Sequence, residues 1–206
     1  MKTKALVIIT LAGILVAGCG EPQTVNIDVI NDDGKPVMAL DYRDFDQAAS
    51  QMVQSMISSG ALKKSGGGRY VVTTARITND TMQRIDTDQL MAKIEQELLN
   101  SGQAVMTSAV GGKGAPDEMI YEMRDIRDSE VGEEFQSDTL AGKKTLIAPE
   151  MSISGKILQR NIRYDSSRQQ VEYYFQLRLT DLTTGLAYWQ NETLIGKRGS
   201  NKSVSW

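Results

Sequence analysis

The stretch Gln169–Thr180, "QQVEYYFQLRLT", decides the fold. Val171, Tyr173, Phe175, Leu177 and Leu179 fall on every second position, with Glu172, Tyr174, Gln176, Arg178 and Thr180 between them. Strand side chains alternate between two faces, so the pattern predicts one apolar, buried face and one polar, solvent-facing face. A one-residue slip would exchange the faces, which specifies the register strongly. Two further strand-like runs flank it, Met151–Arg163 and Leu186–Lys197. They are joined to it by "YDSSR" (164–168) and "DLTTG" (181–185), both rich in turn formers. Together they predict an antiparallel meander with one face on a core.

The sequence before the meander alternates helix and strand. In "YRDFDQAASQMVQSMISSG" (42–60), Phe45, Ala48, Ala49, Met52, Met56 and Ile57 recur at three- and four-residue steps. Asp44 reads as the N-cap and Gly60 as the stop. Ser65-Gly66-Gly67-Gly68 reads as a turn ahead of the β-branched strand "RYVVTTARI" (69–77). A second helix follows in "DTDQLMAKIEQELLNSG" (86–102), capped by Asp86 or Thr87, striped by Leu90, Ile94 and Leu98, and closed by Gly102. "QAVMTSAV" (103–110) reads as another strand, so this region predicts a βαβ crossover. The resulting fold class is α+β or mixed α/β: a central mixed sheet ending in an antiparallel three-strand meander, with helices packed mainly on one side.

The centre, "GGKGAPDEMIYEMRDIRDSEVGEEF" (111–135), has a glycine-rich loop, Pro116 as a first helical residue, and a stripe of Met119, Met123 and Ile126. Gly111-Gly112-Lys113-Gly114 has neither the G-x-x-x-x-G-K-[ST] nor the G-x-G-x-x-G spacing, so a surface loop is expected there rather than a phosphate cradle.

Composition excludes several chemistries. The 206 residues carry 23 Lys+Arg, 26 Asp+Glu, no histidine and one cysteine. Without histidine there is no Ser-His-Asp or Cys-His nucleophile system and no histidine general base. One cysteine forms no internal disulfide and, with no histidine, builds no zinc cage. The mildly acidic balance carries no basic footprint for nucleic acid. No cofactor and no catalytic residue are expected.

The cysteine sits in "LVAGCGEP" (15–22). Lys2 and Lys4 precede an apolar run from Ala5 to Ala17, a layout of a secretory signal too short to span a bilayer as a mature helix. A simple signal peptide with an incidental cysteine is one reading. The other is that Val16-Ala17-Gly18-Cys19 resembles the lipobox of bacterial lipoproteins, in which the cysteine is acylated and becomes the N-terminus. That resemblance implies a signal peptide at 1–18, lipidation of Cys19, and a mature chain held on a membrane by several acyl chains. Gly20 stands where aspartate retains enterobacterial lipoproteins in the inner membrane. In a Gram-negative source this implies the outer membrane, facing the periplasm.

Residues 19–41 read as a lipidated cysteine and a short tether ahead of a globular domain at 42–206, with Val25–Val29 alternating in the manner of an added edge strand. The 24 residues between Cys19 and Asp44 reach at most about 80–85 Å when extended.

From Tyr42 to Lys197 the order of elements resembles the penicillin-binding protein activator LpoB family. So do the phrases "YRDFDQAASQMVQSMISSG", "TARITNDTMQRIDTDQLMAKIEQELLNSG", "LIAPEMSISGKI" and "LTDLTTGLAYWQNETLIGK". The turn Thr183-Thr184-Gly185 before a strand holding Trp189 is similar to the wider group that includes the curli secretion lipoproteins. The resemblance implies a non-enzymatic lipoprotein that binds a bifunctional peptidoglycan synthase, a class A penicillin-binding protein, and stimulates it. Enteric members carry a long proline-rich tether; this chain has three prolines after Pro22.

The expected contact surface is the polar-aromatic face with Tyr174 and Arg178, with Trp189 nearby, because aromatic residues and arginine are common hot spots. The alternative is that Trp189 and Tyr174 pack under a helix and Arg178 is merely solvated. Two other function classes stand beside the activator: an accessory lipoprotein of envelope assembly or secretion, and a glycan-cleaving enzyme using paired carboxylates among Glu130, Glu133 and Glu134 or Asp44 and Asp46. Such acids in a row are usually a solvated face.

Overall fold

A computed structural model describes Asp28, Gly34 and residues 36–203. The chain divides into two units, Met1–Asp33 and Gly34–Trp206. The second is described here; Cys19, the signal segment and, apart from Asp28, Val25–Val29 lie outside the described residues. Its elements are α1 (Tyr42–Ser58), β1 (Tyr70–Asp80), α2 (Thr87–Ser101), β2 (Ala104–Met106), α3 (Met119–Arg127), β3 (Met151–Arg163), β4 (Arg168–Asp181) and β5 (Ala187–Ser200), with a 3₁₀ turn at Glu130–Glu134.

One five-stranded sheet runs in the order β2-β1-β3-β4-β5. β1 is parallel to both β2 and β3, whereas β3, β4 and β5 pair antiparallel, so the expected mixed sheet with a terminal meander is present. The alternation along β4 holds: Val171, Tyr173, Phe175, Leu177 and Leu179 are buried. Helices α1 and α2 cover that face. Phe45 of α1 meets Phe175 edge-on, with centroids 6.1 Å apart and an interplanar angle of 88°, a favoured arrangement of ring quadrupoles. Met52, Met56, Leu90, Ile94 and Leu98 fill the layer between helices and sheet. Among the described residues no helix is long and apolar enough to cross a membrane.

Local chemistry explains the element ends, and several differ from the sequence reading: β1 runs on to Asp80 rather than Ile77, and β5 to Ser200 rather than Lys197. The N-cap of α1 is Asp41, not Asp44. The Asp41 carboxylate accepts from the amides of Arg43 and Asp44, and Asp44 at N3 accepts from the Asp41 amide, a capping box. β2 is three residues long, not eight. After Thr107 donates to Val72, the chain bends away and rejoins β1 only where the Gly112 amide meets the Thr74 carbonyl. The third helix starts at Met119, beyond Pro116, because Asp117 is held by Ser108 and accepts from the Met119 amide. Its expected stripe is not buried, and Met119 is 56 % exposed. Gly102 closes α2 at φ 67°, a left-handed cap that glycine adopts without Cβ strain.

The segment before α1 packs on the domain. Met38 belongs to the core, and its carbonyl accepts from the Tyr173 hydroxyl at 2.9 Å. The Gln83 side chain donates to the same hydroxyl and accepts from the Leu40 amide. Burial pushes the Tyr173 phenol up to about 12. Lys197 reaches the Ala39 carbonyl at 2.7 Å and the Asp44 carboxylate at 2.5 Å, with Asp41 at 3.6 Å. A cation 9 % exposed therefore holds the strap, the cap of α1 and β5 together.

Candidate partner-binding surface

With α1 and α2 on one face, the opposite face of β3, β4 and β5 is left to solvent, and its side chains form a lattice across the strands. Arg178 donates twice to Gln190 on β5, at 2.9 and 2.7 Å. Gln176 donates to Glu192 at 2.6 Å, and the Tyr174 hydroxyl donates to Glu172 at 2.6 Å. Glu172 also accepts from Gln170 at 2.6 Å. The Tyr174 hydrogen bond, then that of Gln170, hold the Glu172 carboxyl below its ordinary value, while the same carboxylate pushes the Tyr174 phenol up. Arg160 of β3 lies 5.7 Å from the Tyr174 ring centroid, a cation–π distance.

Tyr174 and Arg178 therefore share this face, four residues apart on one strand, roughly 13 Å by strand rise. Arg178 is exposed and Tyr174 half-buried. A shallow depression of about 160 Å³ opens beside Arg178, lined by Ser154, Gly155, Lys156, Gln176 and Gln190. Gly155 contributes only backbone to it, and is glycine for a reason on the helix side: a Cβ would stand 2.7 Å from the Gln176 carbonyl oxygen and 2.6 Å from Leu177 Cδ2. Trp189 does not join them, which corrects the expected grouping. It pairs with Leu179, is 8 % exposed, and lies in the core on the helix side. The irregularity between Leu179 and Thr180 shifts the register at this end of β5, a displacement that counting from the turn cannot anticipate.

The other candidate groups have structural roles. Asp44 is committed to the α1 cap and Lys197, and Asp46 pairs with Lys93 at 2.8 Å. Glu130, Glu133 and Glu134 sit exposed on the 3₁₀ turn. The loop Gly111–Gly114 edges a cavity of about 330 Å³ with Arg76, Asp88 and Glu95. There Lys113 is tied to Asp88 at 2.5 Å, and Gly112 presses onto β1, where a Cβ would stand 2.7 Å from the Arg76 nitrogen. Acids at the start of α2 disfavour an anion at that helix end. Among the described residues no three Cys, Asp or Glu side chains are grouped to hold a metal ion. The exposed face carries hydrogen-bonded side chains in rows, with Tyr174 between Arg160 and Arg178.

The family model described as peptidoglycan-synthase activator LpoB matches residues 44–195. The chain belongs to this family. The role of the LpoB family is activation of peptidoglycan synthesis, not catalysis of it, and its members are envelope lipoproteins facing the periplasm. Among solved structures, the chain is similar to the LpoB C-terminal domain from Escherichia coli, at 13 % identity and TM-score 0.41, covering 74 % of this chain and 98 % of that one. The corresponding Salmonella enterica domain matches at 13 % identity and TM-score 0.40 with the same coverages. Lipoprotein GNA1162 from Neisseria meningitidis matches at 12 % identity and TM-score 0.38, covering 66 % of this chain and 87 % of that one. No curated protein matches the chain.

Proposed function

We propose that this chain is a lipid-anchored regulator, tethered to the outer membrane through Cys19, that binds a class A penicillin-binding protein in the periplasm and stimulates its synthesis of peptidoglycan. What carries the reading is the match of the LpoB family model across residues 44–195, nearly the whole folded unit. The lipobox-like run before Cys19 supports the anchor.

A regulator of this kind works by differential affinity. Binding the active synthase conformation more tightly than the inactive one shifts the population, by no more than the difference in affinity. We assign the contact to the open sheet face around Tyr174 and Arg178, whose side chains are already hydrogen-bonded to one another, which lowers the ordering cost of a contact. Trp189 acts beneath it, as core.

The test is capture of a synthase from a detergent extract of the cell envelope on the immobilised chain, followed by glycan polymerisation with the recovered enzyme. Recovery and acceleration of a class A synthase is the expected result. An unchanged rate with every recovered synthase overturns the proposal.

A further inference from the structure

The sheet end formed by the last rungs of β3 and β5 and the first of β4 carries Arg160, Arg163, Arg168 and Arg198, with Lys202 just beyond β5. The acids among them are Asp165, paired with Arg168 at 2.7 Å, and Glu172. The end of the sheet is thus net positive in a chain of net charge −3. Tyr164 sits within it, 47 % exposed, with the Arg198 guanidinium 3.8 Å from the ring centroid and that of Arg168 at 5.1 Å. Ile162 beside it is 39 % exposed.

The N-terminal strap arrives at this same end. Met38 packs so closely over Gly199 that a Cβ there would stand 2.6 Å from its sulfur, and Pro36 lies with Leu194–Lys197. Gly20 to Pro36 is seventeen residues, a reach of at most about 60 Å. The opposite charge sits elsewhere. Asp117–Asp138, around α3, holds nine acidic against two basic residues. It is joined to the first rungs of the sheet through the loop before it: the Asp117 amide donates to the Ser108 carbonyl, the Tyr121 hydroxyl to that of Ala109, and Thr73 of β1 to that of Val110. Thr73 pairs with Ser152, and the eleven steps from Ser152 to Arg163 along β3 span roughly 36 Å.

We propose that the basic end of the sheet docks on the anionic headgroup surface of the membrane that anchors the chain. The inference rests on the anchored reading above. Four to eight clustered cations suffice for attraction to anionic lipid, and Tyr164 and Ile162 supply the amphipathic and apolar side chains suited to the interface. The acidic α3 region is repelled by the same surface, so the two charges orient the domain with the strap end down.

The experiment uses the chain from Gly20 onward, without acyl groups, in sedimentation with phosphatidylcholine vesicles with and without phosphatidylglycerol. Expected is binding only to the anionic vesicles, lost at high salt. Replacing Arg163→Gln together with Lys202→Gln should weaken it roughly 25-fold, at about fivefold per cation. Lys143→Gln with Lys144→Gln, an equal loss of charge near the opposite end, should leave it unchanged. No binding to anionic vesicles, equal binding to neutral ones, or equal weakening by both pairs overturns the proposal. Because this chain carries no lipid, the result is independent of whether Cys19 is acylated, which is read separately as acyl mass on the protein extracted from the envelope.

Discussion

Lys197 shows how much one buried charge organises. Its ammonium lies 2.5 Å from the Asp44 carboxylate and bonds the strap carbonyl of Ala39. Truncating one member of a buried pair leaves the other uncompensated, so Lys197→Ala should lose about 3–5 kcal/mol in denaturant unfolding. Lys197→Met with Asp44→Asn should recover part of the loss. Tyr173→Phe removes one hydroxyl from a network that includes Gln83 and Met38, and should cost about 1–3 kcal/mol. On the other face, Arg178→Ala should weaken synthase binding by at least about tenfold with an unchanged unfolding midpoint, read by titration of the purified partner. The alternation of β4 made Tyr174 and Arg178 legible in sequence as neighbours on one face. Trp189 was not, because the register shift at Leu179/Thr180 decides which way its indole points.

Among the elements, β3 and α1 carry the clearest consequences. Gly155 lies where β3 crosses the irregular stretch of β1 and faces Leu177 and the Gln176 carbonyl. Gly155→Ala should cost about 1–3 kcal/mol by overpacking. The added Cβ points to Leu177 and Ile77 on the helix side, so stability should fall while partner binding at the open face holds. Removing the cap of α1 with Asp41→Ala should cost about 1 kcal/mol in thermal unfolding. Strands and helices with strong periodicity were readable from sequence. Element ends were less so: Asp44 reads as the cap of α1, yet the extended backbone of Asp41 puts the cap there and Asp44 inside the helix at N3. The short β2 and the exposed α3 likewise reflect where the sheet edge ends, a property of the assembled strands.

At the scale of the whole molecule, acid should unfold it through its paired carboxylates. Burial pushes the Asp41 carboxyl up, but Arg43, the Lys197 charge and the Asp44 amide together hold it below its ordinary 3.8. Glu150 is held below 4.5, first by Lys64 and then by the Val71 amide, and Asp128 down to about 2 by Arg127. Depressed folded values mean that the stability they contribute is complete above the unfolded values and is lost as pH falls through the folded ones. Unfolding free energy should therefore be flat above about pH 5 and decline between about pH 4.5 and pH 2, measured by denaturant midpoints across that range.

What sequence alone determined are the properties that follow from spacing and composition. These are the antiparallel meander and its faces, two amphipathic helices around a crossover, the lack of histidine chemistry, and the family. They were legible because local periodicity and residue type carry them. Tertiary structure alone decided the strap on Tyr173 and Lys197, the burial of Trp189, and the gathering of five cations at one end of the sheet. Each joins residues far apart in the chain, such as Met38 with Gly199 or Tyr164 with Arg198, and contacts of that kind exist only once register and strand order are set.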